Sequence, residues 1–334
     1  MASNFHLKTA FYLLMLCTMS MIFYAGNLTD LENKADEKFL QLVNYGHLNN
    51  SSSQNEKKRP TDLKRKKHLQ MMCDMLANKT DGESLTRENF DHILVDEKHK
   101  LLYCYVPKVA CTNWKRIFMI LTGKSNATDL LSIPASTVHG KGVFTKLSNY
   151  STTDIDFILK NFTKFLFVRH PFERLLSAYR NKLEQHYLSS KYFQSRFGRH
   201  IVKHYRKSPT KEALLNGDDV TFFEFVTYLT NPKDVIFNEH WKPIHQLCWP
   251  CFIDYDIIGK YETLYEDSEY ILNHIGKSEI IFPRSSKASN TASILKKYFS
   301  LLPKLLIKEL YSIYFMDFKL FGYSFEEFID ENCR

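Results

Sequence analysis

The sequence predicts an α/β domain with a central parallel sheet, and three observations carry that expectation. Apolar runs of strand length occur at HILVD (92–96), LLYCYV (101–106) and TKFLFV (163–168). Two of them lead through a turn into segments with helical spacing of apolar residues. Strand, turn, helix, repeated, is the order that builds a parallel sheet with ligand sites at the carboxyl ends of its strands. The first two runs are separated by a polar turn. From Asn113 to Leu121 the spacing puts Trp114, Ile117, Phe118 and Leu121 on one helical face. TKFLFV is short and apolar throughout, as a strand buried on both sides requires. The helix that follows, from about Phe172, gathers Leu175, Leu176, Tyr179 and Leu183 on one side. A strand near Ile257–Tyr261 and helices at about 264–275 and 303–315 complete the domain, and no internal repeat is present.

Composition bounds the function. The 334 residues are 44% hydrophobic and 25% charged, an ordinary globular balance, with 26 Phe and 19 Tyr. Only 11 Gly argues against a Gly-rich dinucleotide-binding architecture. A net charge of +8 suits an anionic partner of some kind, and the N-terminus narrows which. Residues 10–25 carry no charge and, as a helix, span roughly 24 Å. Lys8 precedes the stretch; Asp30 and Glu32 follow it. That polarity predicts a cytoplasmic tail (1–8), a transmembrane signal anchor (9–25), a luminal stem (26–88) and a luminal catalytic domain (89–334). Phe23, bulky where a signal peptidase needs a small residue, argues against cleavage. Sequons at Asn27, Asn49, Asn50, Asn78, Asn126, Asn149 and Asn161 agree with a luminal domain, Asn27 lying too near the bilayer to be modified. A luminal location leaves no nucleic acid as partner. The stem's basic run, Lys57 to Arg59 and Lys64 to Lys67, reads as a solvated helix face or tether, with a polyanion contact as the lesser option.

Two segments carry chemistry. In YCYVPKVACTNWKRI (103–117) a strand turns at Pro107 into a helix, whose first amides form an anion site. Lys108 adds a cation, and Thr112 and Asn113 add donors. The glycines of a Walker A loop are missing. In FVRHPFERLLSAYRNK (167–182), Arg169 leaves a strand end and Ser177 follows two helical turns later, so that both can grip one phosphate.

These segments resemble the 5′-phosphosulfate-binding and 3′-phosphate-binding motifs of Golgi carbohydrate sulfotransferases. The resemblance is to the branch holding chondroitin, dermatan and N-acetylgalactosamine 4-O-sulfotransferases and the HNK-1 sulfotransferase. FNEHWKPIHQLCWPC (237–251) and YDIIGKYETL (255–264) extend it in order, over roughly residues 90–325. It implies a P-loop-like 5′-phosphosulfate loop from Pro107, Lys108, Val109, Ala110, Cys111 and Thr112 to Asn113. It implies a second donor segment of Arg169, His170, Pro171, Phe172, Glu173, Arg174, Leu175, Leu176 and Ser177. The donor would be 3′-phosphoadenylyl sulfate, with no metal, and the acceptor a glycosaminoglycan or glycoprotein glycan at the Golgi membrane. His170 replaces the acidic residue usual after this arginine. His139 resembles the base position of related enzymes, His240 being the runner-up, and Lys108 would stabilise the leaving phosphate. The expected reaction is sulfation of the 4-hydroxyl of N-acetylgalactosamine in chondroitin or dermatan. Two alternatives are 3-O-sulfation of terminal glucuronic acid and a non-catalytic glycosaminoglycan-binding protein. Cys73, Cys104, Cys111, Cys248, Cys251 and Cys333 face an oxidising lumen with their pairing open. For CWPC (248–251) a redox pair and a zinc site with His240 and His245 are the minor readings. A structural disulfide, or two cysteines paired elsewhere, is the main one.

Overall fold

In the computed structural model, residues 60–76, 85–284 and 291–333 are described. The expected anchor, and Asn27, Asn49, Asn50 and Asn78, lie outside them. Among the described residues no helix is long and apolar enough to cross a membrane.

The chain runs through α1 (Pro60–Leu76), β1 (Ile93–Asp96), β2 (Leu101–Cys104), α2 (Cys111–Leu121), α3 (Ala135–Val138), α4 (Thr152–Asn161), β3 (Thr163–Val168) and α5 (Pro171–Tyr179). A π-helical turn at Arg180–Glu184 then leads to α6 (Arg199–Tyr205), α7 (Lys211–Asn216), α8 (Phe222–Leu229), α9 (Ile244–Cys248) and β4 (Ile257–Lys260). The last elements are α10 (Leu264–His274), α11 (Thr291–Phe299), α12 (Lys304–Phe321) and α13 (Phe325–Asn332).

The sheet order is β1-β2-β3-β4, and the sheet is mixed. β2, β3 and β4 are parallel, but β1 runs antiparallel to β2 as a hairpin. This corrects the all-parallel expectation: the few polar residues between the first two runs span a turn, whereas a parallel pair needs a crossover of a dozen residues or more. Strands β1 and β2 are buried throughout, and β3 is buried from Lys164 onward. On one face Tyr103 stacks on Phe165 at 4.7 Å between ring centroids, and Trp114 of α2 packs on the same ring at 4.7 Å. Gly259 in β4 is required by packing, since a Cβ there would come within 2.4 Å of the Phe167 ring. The expected α2 face, Trp114, Ile117, Phe118 and Leu121, is buried, as are Leu175, Leu176, Tyr179 and Leu183 around α5.

Part of the segment read as stem folds onto the domain. Leu69, Met72, Cys73 and Leu76 of α1 are buried. Arg65 donates to the Asp267 carboxylate at 2.7 Å, the Ile258 carbonyl at 3.0 Å and Thr263 Oγ1 at 2.9 Å. Lys66 reaches Asp254 at 3.0 Å. These two cations of the basic run are therefore structural, while Lys64 and Lys67 are exposed. Disulfides join Cys73 to Cys251 and Cys104 to Cys248. The two cysteines of CWPC thus pair elsewhere, and no group of three or more His, Cys, Asp or Glu able to hold a metal occurs among the described residues. Cys111 and Cys333 are free thiols. Asn126, Asn149 and Asn161 are exposed.

Candidate active site

Three loops leave the carboxyl ends of the parallel strands β2, β3 and β4, and they meet at Arg169. The β2 loop is strained: Lys108 and Ala110 both have left-handed backbones, φ 70° and 56°, a conformation that costs non-glycine residues about 1–3 kcal/mol each. Left-handed residues ahead of a helix turn successive amides into one concavity, an anion nest. Ala110 caps α2, so the amides of Cys111 and Thr112 that follow have no acceptor within the helix. The Pro107 carbonyl is held by Arg174 Nε at 3.0 Å, and the Lys108 carbonyl by the Arg169 guanidinium at 3.4 Å.

The expected donor segment divides into two groups. Arg169, itself only 2% exposed, lies face-on to the Tyr261 ring at 4.1 Å and pairs with Glu173 at 3.0 Å, at the junction of the three loops. Ser177 is half-buried on α5. Phe172, Leu175 and Leu176 are apolar core residues with at most 1% exposure. Arg174 is fully buried and is spent on carbonyls: besides Pro107 it holds Lys242 at 2.8 Å and Glu239 at 2.9 Å. These four side chains build the site's floor instead of facing a ligand. His170 precedes Pro171, the first residue of α5, in a box of Phe172, Phe318, Tyr323 and Phe328. Burial first, then Arg169 and Lys260, push its pKa down to about 3. Its Nδ1 is buried without a partner. In the loop, Val109 is fully buried and Cys111 nearly so, while Asn113 accepts from Arg116 at 2.8 Å.

His139 ends α3 and meets the start of α2. Its Nε2 lies 3.0 Å from Thr112 Oγ1 and its Nδ1 lies 3.5 Å from Lys115 Nζ. Burial, then Lys115, Lys182 and Arg116, lower its pKa to about 4, so the ring is neutral through the mildly acidic range. His240 is more enclosed. Its Nδ1 donates to Asn238 Oδ1 at 2.7 Å and its ring meets Phe193 edge-on at 5.0 Å. Burial, then Lys182, Lys108, Arg174 and His139, hold its pKa at about 2. His139 is among the charges that lower His240, and Lys182 acts on both rings.

Lys108, Lys115 and Lys182 surround these rings without any carboxylate partner among the described residues. Burial, then Lys182, Arg169 and Arg174, push Lys108 down to about 8, with Cys111 opposing. Glu239 favours the charged forms of Lys115 and Lys182, and it also lines a cleft of about 240 Å³ with Glu88, Asp91, His92, Lys242 and Trp249. Sequence reasoning missed Lys115, Lys182 and Glu239. For Lys115 the signal existed: positions 111, 114, 115 and 118 share one helical face, so the lysine had to lie on the buried side of α2.

A nest of backbone amides, three lysines without carboxylate ion pairs among the described residues and a neutral imidazole at the carboxyl edge of the parallel strands suit the binding of an anionic group. The family model of the Sulfotransferase family matches residues 91–324. Over 250 residues the chain is 46% identical to carbohydrate sulfotransferase 11 of Rattus norvegicus, covering 73% of this chain and 70% of that one. It is 41% identical to carbohydrate sulfotransferase 14 of Danio rerio (73% and 65%) and 37% to carbohydrate sulfotransferase 9 of Homo sapiens (80% and 61%). No solved structure matches. The chain belongs to the Sulfotransferase family and is an enzyme that sulfates a sugar, which sets aside the reading as a non-catalytic binding protein.

Proposed function

We propose that the enzyme transfers the sulfuryl group of 3′-phosphoadenylyl sulfate to the 4-hydroxyl of N-acetylgalactosamine in chondroitin or dermatan, in the Golgi lumen, tethered by its N-terminal segment. The observation that carries this reading is the cluster of Lys108, Lys115 and Lys182, unpaired with carboxylates, beside the amide nest and His139. The donor supplies an activated sulfur and a phosphate leaving group. Lys108 and the amides at the start of α2 stabilise the charge that grows on the departing phosphate oxygen, and Arg169 with Ser177 holds the 3′-phosphate. His139 takes the proton as the sugar oxygen bonds to sulfur and the sulfur–phosphate oxygen bond breaks. A sulfuryl group carries less charge than a phosphoryl, so lysine and backbone donors suffice for this work.

The test is to incubate the protein with labelled donor and a panel of desulfated glycans, then map the product linkage. Label on the 4-position of N-acetylgalactosamine is expected; label on the 3-position of terminal glucuronic acid would overturn the acceptor. A second measurement addresses the leaving group. Lys108→Ala should lower turnover more than donor affinity, because its contact strengthens in the transition state. Equal affinity loss with unchanged turnover would make it a ground-state clamp.

A further inference from the structure

Lys115 is a buried ammonium with 7% exposure and no carboxylate partner among the described residues. Its Nζ lies 3.8 Å above the Tyr105 ring, a cation–π contact that partly replaces lost hydration. Its other contact is His139 Nδ1, at 3.5 Å. A charged lysine can only donate, so Nδ1 must present a lone pair to it. The proton of the neutral ring then sits on Nε2, which donates to Thr112 Oγ1 at 3.0 Å. Thr112 and Lys115 lie three positions apart on α2, on the same side of the helix, and grip the two ring nitrogens.

We propose that Lys115 is a positioning residue for proton transfer: it fixes His139 in the Nε2–H tautomer, makes Nδ1 the accepting atom, and keeps the ring unprotonated in an acidic lumen. The proposal rests on the reading of His139 as the base. The Lys115 contact is at the long limit of a hydrogen bond, so a sugar hydroxyl can displace it while the ammonium stays on the Tyr105 ring. A positive charge beside Nδ1 opposes the imidazolium, the direction in which His139 is shifted. The other groups facing the pair are Cys111 and Arg116 from α2, Lys182 from the π-helical turn, Lys146, and Glu239 and His240 from the loop before α9. Burial lowers the Lys115 pKa, with Cys111 and then Glu239 favouring its charged form, while the charges acting on His139 all oppose its protonation.

The test is the pH dependence of turnover for the full chain, with labelled donor and desulfated chondroitin, for wild type, Lys115→Met and Lys115→Arg. In Lys115→Met the acid limb should move up by about one pH unit, from about pH 4 toward about pH 5, leaving turnover roughly halved near pH 5 and recovered by neutral pH. Lys115→Arg, which keeps the charge, should hold the wild-type limb. A loss uniform across pH, or the same shift in both variants, would overturn the proposal. Nitrogen NMR of isotope-labelled imidazoles in the unmutated protein, assigned by difference from His139→Ala, should show the Nε2–H tautomer; the Nδ1–H tautomer would overturn it without any lysine variant. Near-normal turnover of His139→Ala would instead remove the base assignment on which the proposal stands.

Discussion

On the β4 flank, Arg65, Lys66 and Lys164 meet Asp267, Asp254 and Asp256 at 2.7–3.5 Å. At the carboxyl edge of the same sheet, Lys115 and Lys182 meet aromatic rings and an imidazole in place of carboxylates, and Lys108 has no carboxylate partner among the described residues. Both regions are basic and partly buried, and they are built for different ends. The first is electrostatically closed: each cation is matched, and removing one leaves a carboxylate stranded. The second is open, since the protein has met the cost of desolvating positive charge without supplying the counter-ion. That deficit is what an anionic substrate relieves. Paired cations should therefore register in stability, and unpaired ones in binding and turnover.

The sharpest break of this comparison lies at the open edge. His139→Ala should fold, keep affinity for the nucleotide product, and lose turnover by about 10²–10⁴, the usual worth of a general base. His240→Ala should be milder and should act mainly on acceptor binding. A folded, inactive His240→Ala beside a near-normal His139→Ala would reverse the two roles. On the closed flank, Arg65→Met should cost about 3 kcal/mol of stability by uncovering the buried Asp267. Its donor affinity, measured by titration calorimetry, should not change. Next, replacing Arg169 or Ser177 should weaken donor binding roughly tenfold to a hundredfold, with acceptor affinity little altered. Unchanged binding of 3′-phosphoadenosine 5′-phosphate to Arg169→Ala would remove that assignment.

The smallest effect concerns His170, a neutral group between the two regimes. Its folded pKa, about 3, lies below the ordinary 6.5, so the unfolded chain binds the proton more readily. Stability from this group is complete above pH 6.5 and falls as pH drops toward 3. His170→Phe should remove that dependence and leave the variant about 1–2 kcal/mol less acid-sensitive at pH 5. Melting curves at pH 5 and pH 7 measure it, and parallel losses in both proteins would sink the idea.

Much of the fold was legible because apolar runs and helical spacing are local. β3 falls on the expected residues, and α2 starts two residues before them. The direction of β1 was not read, since alternation and burial say nothing of strand polarity, although the short turn before β2 did. The packed face of α1 was hidden by composition: Leu69, Met72, Cys73 and Leu76 hold helical spacing inside a charged run that suggested solvent. In the site, Lys108, Arg169 and His139 stand out by residue type beside a strand end or between motifs. Lys182 and Glu239 acquire meaning only once distant segments meet, whereas helical spacing alone puts Lys115 on the buried side of α2. The split of the Arg169–Ser177 segment into polar side chains near the loops and apolar core side chains likewise depends on which way α5 is turned against the sheet.

The two disulfides also dictate how the chain must be made. Cys104 precedes its partner by 144 residues and Cys73 precedes its own by 178. At roughly 5–20 residues per second, and in the luminal location proposed above, both thiols would meet an oxidising environment about 10–30 s or more before their partners exist. During that interval they have each other, and a bridge between Cys73 and Cys104 would pin α1 to β2. In that location a premature bridge would have to be prevented or undone by disulfide exchange, and secretion yield should track the supply of isomerase more closely than it tracks the stability of the finished domain.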